Sequence, residues 1–246
     1  MTPFADHFST IAARYASYRP HYPPALVDAL ADRAPQGTAW DAGCGNGQLS
    51  VALATRFDRV IATDPSQAQI DAAAPHARVE YRCEPAEAST LADGEAALVV
   101  AAQAAHWFDW PRFVAEAGRV AQPGALIALV SYGIVLVDGD PGAIVAHFYR
   151  DVVGPYWPPG REHVEHGYRD LVMPWPSVDA PALDMSASWT RDELLGYIST
   201  WSATVKLVQA RGTAPVEDLH AALAAVWPDG EARRIAWPLT LRLARR

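Results

Sequence analysis

An acid followed by closely spaced glycines is the feature of this sequence with the clearest chemical meaning. Residues 41–47 read DAGCGNG and lie between a strand-like apolar segment and a helix-like amphipathic one. Glycines at such a junction let the backbone approach a ligand, and the first amides of the following helix point toward it. A second acid, Asp64, ends the next strand-like segment roughly 20 residues after Gly43, where a carboxylate suits the two hydroxyls of an adenosine ribose. The loop and the two acids predict a site for an adenosine-containing ligand.

Three kinds of nucleotide ligand compete for this loop. A Walker-type phosphate loop needs G-K-S/T, and the sequence continues with Gln48 and Leu49, so this type is excluded. The dinucleotide fingerprint G-x-G-x-x-G needs a glycine where Gln48 stands. Asp41 would oppose a pyrophosphate, whereas it would suit a ligand with a cationic amino acid end. S-adenosylmethionine carries a sulfonium, an ammonium and a ribose without phosphate, and the residues favour it.

The loop needs a framework of strands to position it, and the pattern of residues 38–132 predicts one. Strand-like segments at 38–42, 59–64, 79–84, 96–102 and 125–130 alternate with helix-like segments. The run 96–102 is almost wholly apolar, which is typical of a central parallel strand buried on both faces. This alternation predicts an α/β fold with a doubly wound, mainly parallel sheet. A helix is expected over 66–74.

The sequence changes character after Gly133. Residues 154–181 are dense in proline and tryptophan, which predicts an ordered insertion after the fifth strand that lies over the end of the sheet. Helices are expected near 192–200 and 216–226. A last strand is expected over 235–243, where alternating leucines favour an antiparallel neighbour.

Several motifs together resemble those of class I S-adenosylmethionine-dependent methyltransferases. Beside the glycine loop they are DPS at 64–66, EPAE at 84–87 and AGRVAQPGA at 117–125, so the match covers roughly residues 38–132. YRPHYP at 18–23 and QAAHWFD at 103–109 resemble the small-molecule branch that includes trans-aconitate methyltransferase-like proteins. The resemblance implies a Rossmann-like fold with a seven-stranded, mainly parallel sheet. It also implies S-adenosylmethionine as cofactor and S-adenosylhomocysteine as product.

The loop and the resemblance together assign the site residues. The cofactor is expected to contact Asp41, Gly43, Gly45, Gly47, Asp64, Pro65, Ser66, Glu84, Ala86, Glu87 and Gln103. His106 follows the fourth strand, at the edge of such a sheet where ligands bind, and is the candidate general base. Arg19 is expected to bind a carboxylate of the substrate or of the cofactor. No metal site is predicted, because residues 162–166 lack the H-E-x-x-H spacing.

Composition restricts the partners and the location. The net charge of -8, with 20 Lys+Arg against 28 Asp+Glu, argues against a nucleic-acid partner. The two cysteines lie far apart, which suits a reducing compartment. Neither a signal peptide nor a membrane-length apolar run is evident, so a cytoplasmic location is expected. We expect a monomer or a homodimer.

One domain spanning 1–246 is predicted, because half of the residues are hydrophobic and can form a sizeable core. Within it we expect an N-terminal lid and helix at 1–34, a cofactor-binding core at 38–132, a cap-like insertion at 133–185, and C-terminal helices with the last strand at 186–246.

The predicted function is methyl transfer to a small-molecule acceptor, with a carboxylate as one candidate. A carboxylate needs no general base, whereas a hydroxyl or an amine would use His106. Two alternatives stay open. An NAD(P)-dependent oxidoreductase would use the same topology with Asp64 on the ribose. A non-catalytic S-adenosylmethionine-binding protein would have the pocket without a competent acceptor site.

Overall fold

The computed structural model describes residues 18–246; residues 1–17, which are part of the predicted N-terminal segment 1–34, lie outside the described residues. The main sheet contains β1 (Thr38–Ala42), β2 (Arg59–Asp64), β3 (Val79–Cys83), β4 (Ala96–Ala102), β5 (Ala121–Tyr132), β7 (Ser177–Val178) and β10 (Leu239–Arg245). Their order is β3-β2-β1-β4-β5-β10-β7. The first five strands pair in parallel, whereas β10 is antiparallel to both β5 and β7. This confirms the predicted doubly wound, mainly parallel seven-stranded sheet.

The α-helices of the described residues cover both faces of this sheet and build a second body beside it. They are α1 (Pro24–Ala31), α2 (Gln48–Leu53), α3 (Gln67–Asp71), α4 (Trp110–Val120), α5 (Asp140–His147), α6 (Arg161–Glu165), α7 (Arg191–Ser199), α8 (Ser202–Arg211) and α9 (Ala214–Val226). Helix α3 is shorter than the predicted 66–74. Pro75 follows closely, and a proline disfavours helical geometry in the residue before it.

The central strand β4 carries the core, because it is buried from Ala96 through Ala101. On one side of the sheet, Leu26 and Leu30 of α1 pack with Leu49 and Leu53 of α2. On the other side, Phe113, Ala117 and Val120 of α4 pack at helical spacing. Asp109 caps the start of α4 by accepting the Arg112 N–H at 3.4 Å. The core therefore fixes the carboxyl ends of β1, β2 and β4, where the predicted site lies.

A smaller antiparallel sheet with an aromatic core lies beside the main sheet. Its strands are β6 (Leu136–Val137), β8 (Ser186–Thr190) and β9 (Ala232–Ala236), in the order β6-β9-β8. The rings of Trp189, Tyr197, Trp201 and Trp237 meet edge to face, with centroid distances from 4.8 to 5.8 Å. Aromatic packing of this kind joins the small sheet to helices α7 and α8.

The prediction of one strand over 235–243 is wrong in its extent. The chain forms β9 in the small sheet, breaks at Trp237 and Pro238, and then forms β10 in the main sheet. Pro238 has no N–H to donate to a ladder, and its carbonyl accepts the Gly133 N–H at 2.9 Å. The alternating leucines do lie on β10, which is antiparallel to β5 as predicted.

Candidate active site

The glycine loop begins where β1 ends, and its first glycine is required by both conformation and space. Gly43 has φ +72°, and a Cβ at this position would lie 2.6 Å from the Cβ of Ala104. The N–H groups of Gly43 and Cys44 both donate to the Thr63 carbonyl, at 2.8 and 2.9 Å. The loop is thereby held against the ends of β2 and β4.

The last glycine of the loop shapes the turn into α2. Gly47 has φ +80° at the residue that caps this helix, and a side chain there would overlap the ring of Tyr81. Gly47 does not line the ligand cavity described below. We therefore interpret its role as closing the turn, while Gly43 and Gly45 form the wall.

Asp64 connects the glycine loop to the turn after β2. One of its carboxylate oxygens accepts the Gly45 N–H at 2.9 Å, and the other accepts the Ser66 N–H at 2.9 Å. Charge-assisted hydrogen bonds of this kind are stronger than neutral ones. Asp64 therefore organises the predicted ribose site as well as facing it.

Asp41 is a buried acid at the end of β1. Its side chain is 1% exposed and accepts a hydrogen bond from the Ser50 hydroxyl at 2.6 Å. Burial raises the pKa of Asp41 to about 7; the Ser50 hydrogen bond lowers it, and the nearby charge of Asp64 raises it. A cationic ligand group beside Asp41 would favour the ionised carboxylate, as expected for an ammonium-bearing cofactor.

Most of the predicted cofactor residues surround one cavity of about 1010 Å³. A space of this size is at the upper end of ordinary small-molecule sites. Its lining brings together most of the predicted set: Arg19, Asp41, Gly43, Gly45, Asp64, Pro65, Ser66, Ala86, Glu87 and Gln103. Gly47, Glu84 and His106 do not line it.

Two buried polar atoms in this cavity indicate a polar ligand. Ser66 and Gln69 are each 4% exposed and line the cavity, and neither the Ser66 Oγ nor the Gln69 Oε1 has a hydrogen-bond partner among the described residues. Unpaired buried groups cost free energy, so the hydroxyls or the amine of an adenosine are suitable partners. The sequence reasoning missed Gln69, whose only sequence signal is its nearness to the DPS turn.

The turn after β3 contains two glutamates in different positions: Glu87 lines the cavity, whereas Glu84 hydrogen-bonds to Thr90. Glu84 accepts both the N–H of Thr90, at 2.9 Å, and its hydroxyl, at 2.6 Å. Glu87 accepts the Asp109 N–H at 2.8 Å and lines the cavity together with buried Ala86. The geometry therefore gives Glu84 a bracing position, outside the cavity.

Gln103 forms part of the wall between this cavity and a second, smaller chamber. It has φ +53°, which is uncommon for a residue with a side chain. Its N–H donates to the Val130 carbonyl at 2.8 Å, and its Nε2 donates to the Tyr132 carbonyl at 2.9 Å. Hydrogen bonds to β5 thus hold this strained residue, a pattern that clusters at functional sites.

The second chamber, which we call the side chamber, has a volume of about 70 Å³. It shares Arg19, Gln103, Trp107 and Tyr132 with the larger cavity. Its other lining residues are His106, Gly133, Ile134, Tyr149, Trp157, Pro158, Arg161, Tyr197, Trp201 and Ser202. Two arginines and several aromatic rings are present, and no carboxylate of the described residues lines it. Apart from Arg19, Gln103 and His106, the sequence analysis did not assign these residues to a site, because most of them come from three separate segments, 132–134, 149–161 and 197–202.

His106 lies in the side chamber as a neutral imidazole. Burial lowers the pKa of His106 to about 3, and the charges of Arg161, His163 and Arg19 contribute in the same direction. Its Nδ1 lies 2.9 Å from the Tyr168 hydroxyl. Burial raises the pKa of Tyr168, so its hydroxyl keeps its proton, and within residues 18–246 the His106 Nδ1 is the acceptor in reach of that hydroxyl. We therefore assign the proton of this contact to the Tyr168 hydroxyl as donor to Nδ1, which leaves the ring proton of His106 on Nε2.

Arg19 lies at the boundary of the two spaces. Its Nη1 donates to the Tyr132 hydroxyl at 2.9 Å, and its side chain lines both the large cavity and the side chamber. Arg19 therefore lies on the walls of both spaces, and its contact with a carboxylate of the cofactor or of the substrate stays a prediction.

Two general features of residues 18–246 bear on the partners. None of their helices has both the length and the apolar character that crossing a bilayer requires. They also contain no group of three or more histidine, cysteine or acidic side chains arranged to hold a metal ion.

Comparison with known proteins adds independent observations. A sequence model of the family described as "Methyltransferase domain" matches residues 40–129. A Dictyostelium discoideum protein named as a methyltransferase is 33% identical over 215 residues, which cover 85% of this chain and 81% of that protein. A Mycobacterium tuberculosis protein named as an uncharacterized methyltransferase is 35% identical over 126 residues, 50% of this chain and 51% of that one.

A solved structure agrees over nearly the whole chain. The structure of an Anaeromyxobacter dehalogenans protein named as a type II methyltransferase is 44% identical and superposes with a TM-score of 0.87. The match covers 93% of this chain and 98% of that chain. The similarity therefore includes the small sheet and the aromatic segments as well as the glycine loop.

Proposed function

This chain belongs to the class I S-adenosylmethionine-dependent methyltransferases, and we propose that its acceptor is a small molecule methylated on a carboxylate oxygen. The observation that carries the proposal is the side chamber, which joins the cofactor cavity at Arg19 and Gln103 and whose lining, among residues 18–246, includes Arg19 and Arg161 and no carboxylate. We also place the chain in the small-molecule branch, because the two segments that resemble it, 18–23 and 103–109, contribute Arg19, Gln103 and His106 to these walls.

Methyl transfer to a carboxylate requires little acid–base catalysis by the protein. S-adenosylmethionine supplies an electrophilic methyl carbon next to a sulfonium. The residues of the site must exclude water and align the acceptor oxygen with the methyl carbon. The aromatic rings of Trp107, Tyr132 and Trp157 enclose the side chamber, and Arg19 is placed to orient an acidic acceptor from the boundary.

The state of His106 favours a carboxylate over a hydroxyl or an amine. A general base works best when its pKa is near the working pH, and a pKa of about 3 makes His106 a weak base. With Nδ1 bonded to Tyr168, its Nε2–H is a hydrogen-bond donor. We therefore assign His106 the role of donating a hydrogen bond to the acceptor carboxylate.

The other functional classes have less support. An NAD(P)-dependent oxidoreductase would place a pyrophosphate near buried Asp41. The loop of this chain also lacks the third glycine of the dinucleotide fingerprint. A non-catalytic binding protein would leave the aromatic side chamber without a use. The acidic net charge disfavours a nucleic-acid acceptor.

The chemical stability of the product tests the acceptor atom. The protein is incubated with methyl-labelled S-adenosylmethionine and a panel of small carboxylic acids, alcohols and amines. We expect label transfer to acids only, and we expect alkali to release the label as volatile methanol, because methyl esters hydrolyse whereas methyl ethers and methylamines do not. Alkali-stable label on an alcohol or an amine would overturn the carboxylate proposal while leaving the methyltransferase assignment intact.

His106→Ala provides the matched variant for this assay. Loss of one hydrogen-bond donor to a charged acceptor is expected to lower turnover of the acid about 10- to 100-fold. The affinity for S-adenosylhomocysteine should stay unchanged, since His106 lies outside the larger cavity. Equal losses in turnover and in cofactor affinity would instead identify His106 as a cofactor-pocket residue.

A further inference from the structure

We propose that Arg161 is the specificity-determining residue of the side chamber and that it binds the carboxylate of a small acid substrate. This inference rests on the proposed function and deepens it. Arg161 begins α6, in the segment that follows the fifth strand, and it lines the side chamber but not the larger cavity. It is therefore placed on the side of the acceptor, away from the cofactor.

Aromatic rings hold the guanidinium of Arg161 in one orientation. The guanidinium carbon lies 4.5 Å from the ring centroid of Trp157 and 5.5 Å from that of Tyr149. Arginine stacks on such rings through cation–π attraction, and a stacked guanidinium loses less freedom when it binds a ligand. Both rings also line the side chamber, so the planar group is fixed in its wall.

A hydrogen-bond chain begins at the Nε edge of this guanidinium and leaves its terminal nitrogens available. The Arg161 Nε donates to the Tyr149 hydroxyl at 2.8 Å, and that hydroxyl donates to Glu165 at 2.6 Å. The Glu165 carboxylate itself is 4.0 Å from the Nε and does not line the side chamber. Between residues 18 and 246, neither terminal nitrogen of Arg161 has a hydrogen bond or an ion pair. Two N–H groups in a fixed plane match the two oxygens of a carboxylate.

The size and charge of the side chamber define the class of group that it takes. A cavity of about 150 Å³ is large enough for a benzene molecule, whereas the side chamber is about 70 Å³. A carboxylate with one or two attached carbons is of the right scale for this space. Arg161 and Arg19 are the charged residues of its described lining, so a negative group is favoured over a neutral or cationic one. The acceptor oxygen of this carboxylate would face Gln103 and Tyr132, where the side chamber joins the cofactor cavity.

Propionate and propionamide provide a matched pair of probes, because they have nearly the same shape and differ in charge. The protein is saturated with S-adenosylhomocysteine, and each probe is titrated while the indole N–H signals of the tryptophans are followed by NMR. We expect propionate to shift the Trp157 signal and propionamide to leave it unchanged. In Arg161→Gln, the affinity for propionate should fall about 10- to 100-fold, the range expected for lost hydrogen bonds to a charged group. Arg161→Lys should recover part of the loss, because it keeps the charge without the planar pair of donors.

Arg169→Gln is the control, because Arg169 is an exposed arginine in the same segment and does not line the side chamber. It should bind propionate like the wild type, and circular dichroism confirms that each variant is folded. Equal binding of propionate by wild type and Arg161→Gln would overturn the proposal, as would equal binding of the two probes or no propionate binding to the wild type. A preference for inorganic phosphate would contradict the carboxylate class. Failure of S-adenosylhomocysteine to bind would instead overturn the proposed function, and titration of propionate without it would still test Arg161.

Discussion

We expect the Asp41→Asn protein to be more stable than the wild type at pH 8 and to bind S-adenosylhomocysteine at least about tenfold more weakly. The two effects have one cause. The Asp41 carboxylate is buried, and the ammonium group of the cofactor would form an ion pair with it. Asparagine keeps an oxygen that can accept the Ser50 hydrogen bond but carries no charge to bury.

The sign of the stability effect follows from the direction of the pKa shift. The pKa of Asp41 is raised from 3.8 to about 7 in the folded protein, so the folded state binds a proton more tightly than the unfolded state. The contribution of Asp41 to the free energy of unfolding is therefore fully present below about pH 4 and is lost as the pH rises toward 7. A shift of this size corresponds to a few kcal/mol, which Asp41→Asn should recover at pH 8 and not at pH 4.

Urea unfolding at the two pH values and calorimetry with S-adenosylhomocysteine measure both effects. Asp58→Asn removes an acid at an exposed position and is the charge-matched control, with neither effect expected. Unchanged ligand affinity in Asp41→Asn would show that this carboxylate does not face the cofactor. A loss of stability at pH 8 would show that its ionised form is paired in the folded protein.

Gly43→Ala is expected to weaken S-adenosylhomocysteine binding about 100-fold or more while the protein remains folded. A side chain at φ +72° costs about 1–2 kcal/mol. The added Cβ would also lie 2.6 Å from the Cβ of Ala104, so the loop must move away from β4. That movement breaks the two hydrogen bonds to the Thr63 carbonyl and displaces the amides that face the ligand.

Gly124→Ala is the control that separates the effect of backbone strain from the effect of steric overlap. Gly124 has a similar φ of +79°, and a Cβ there would have no neighbour within 4 Å. This variant should lose a comparable amount of stability to backbone strain and keep its ligand affinity. If calorimetry finds the same affinity in both variants, the glycine loop is a structural turn and not a ligand cradle.

The cofactor half of the site could be predicted because its signals are local in sequence. The glycine loop, Asp64 and Ser66 each lie within a few residues of a strand end, and parallel strands bring their carboxyl ends to one edge of the sheet. The apolar run of β4 likewise required no knowledge of distant residues. Where local rules were incomplete, a proline decided the outcome, as with Pro75 after α3 and Pro238 between β9 and β10.

Most of the side chamber could not be predicted in this way. Tyr132, Tyr149, Arg161 and Trp201 lie far apart in the chain and meet only through the packing of the small sheet and its helices. The environment of His106 depends on Tyr168, 62 residues away, whose hydroxyl bonds to its ring. An isolated histidine after a strand indicates a possible base, whereas burial and this partner favour a neutral hydrogen-bond donor.

Calorimetric titration with S-adenosylhomocysteine, with NADH in parallel, tests the central claim most directly. We predict micromolar affinity for S-adenosylhomocysteine, no binding of NADH, and loss of S-adenosylhomocysteine binding in Asp64→Ala, because that carboxylate holds both the Gly45 and the Ser66 amides. Absence of S-adenosylhomocysteine binding to the wild type, or binding of NADH in its place, would contradict the account.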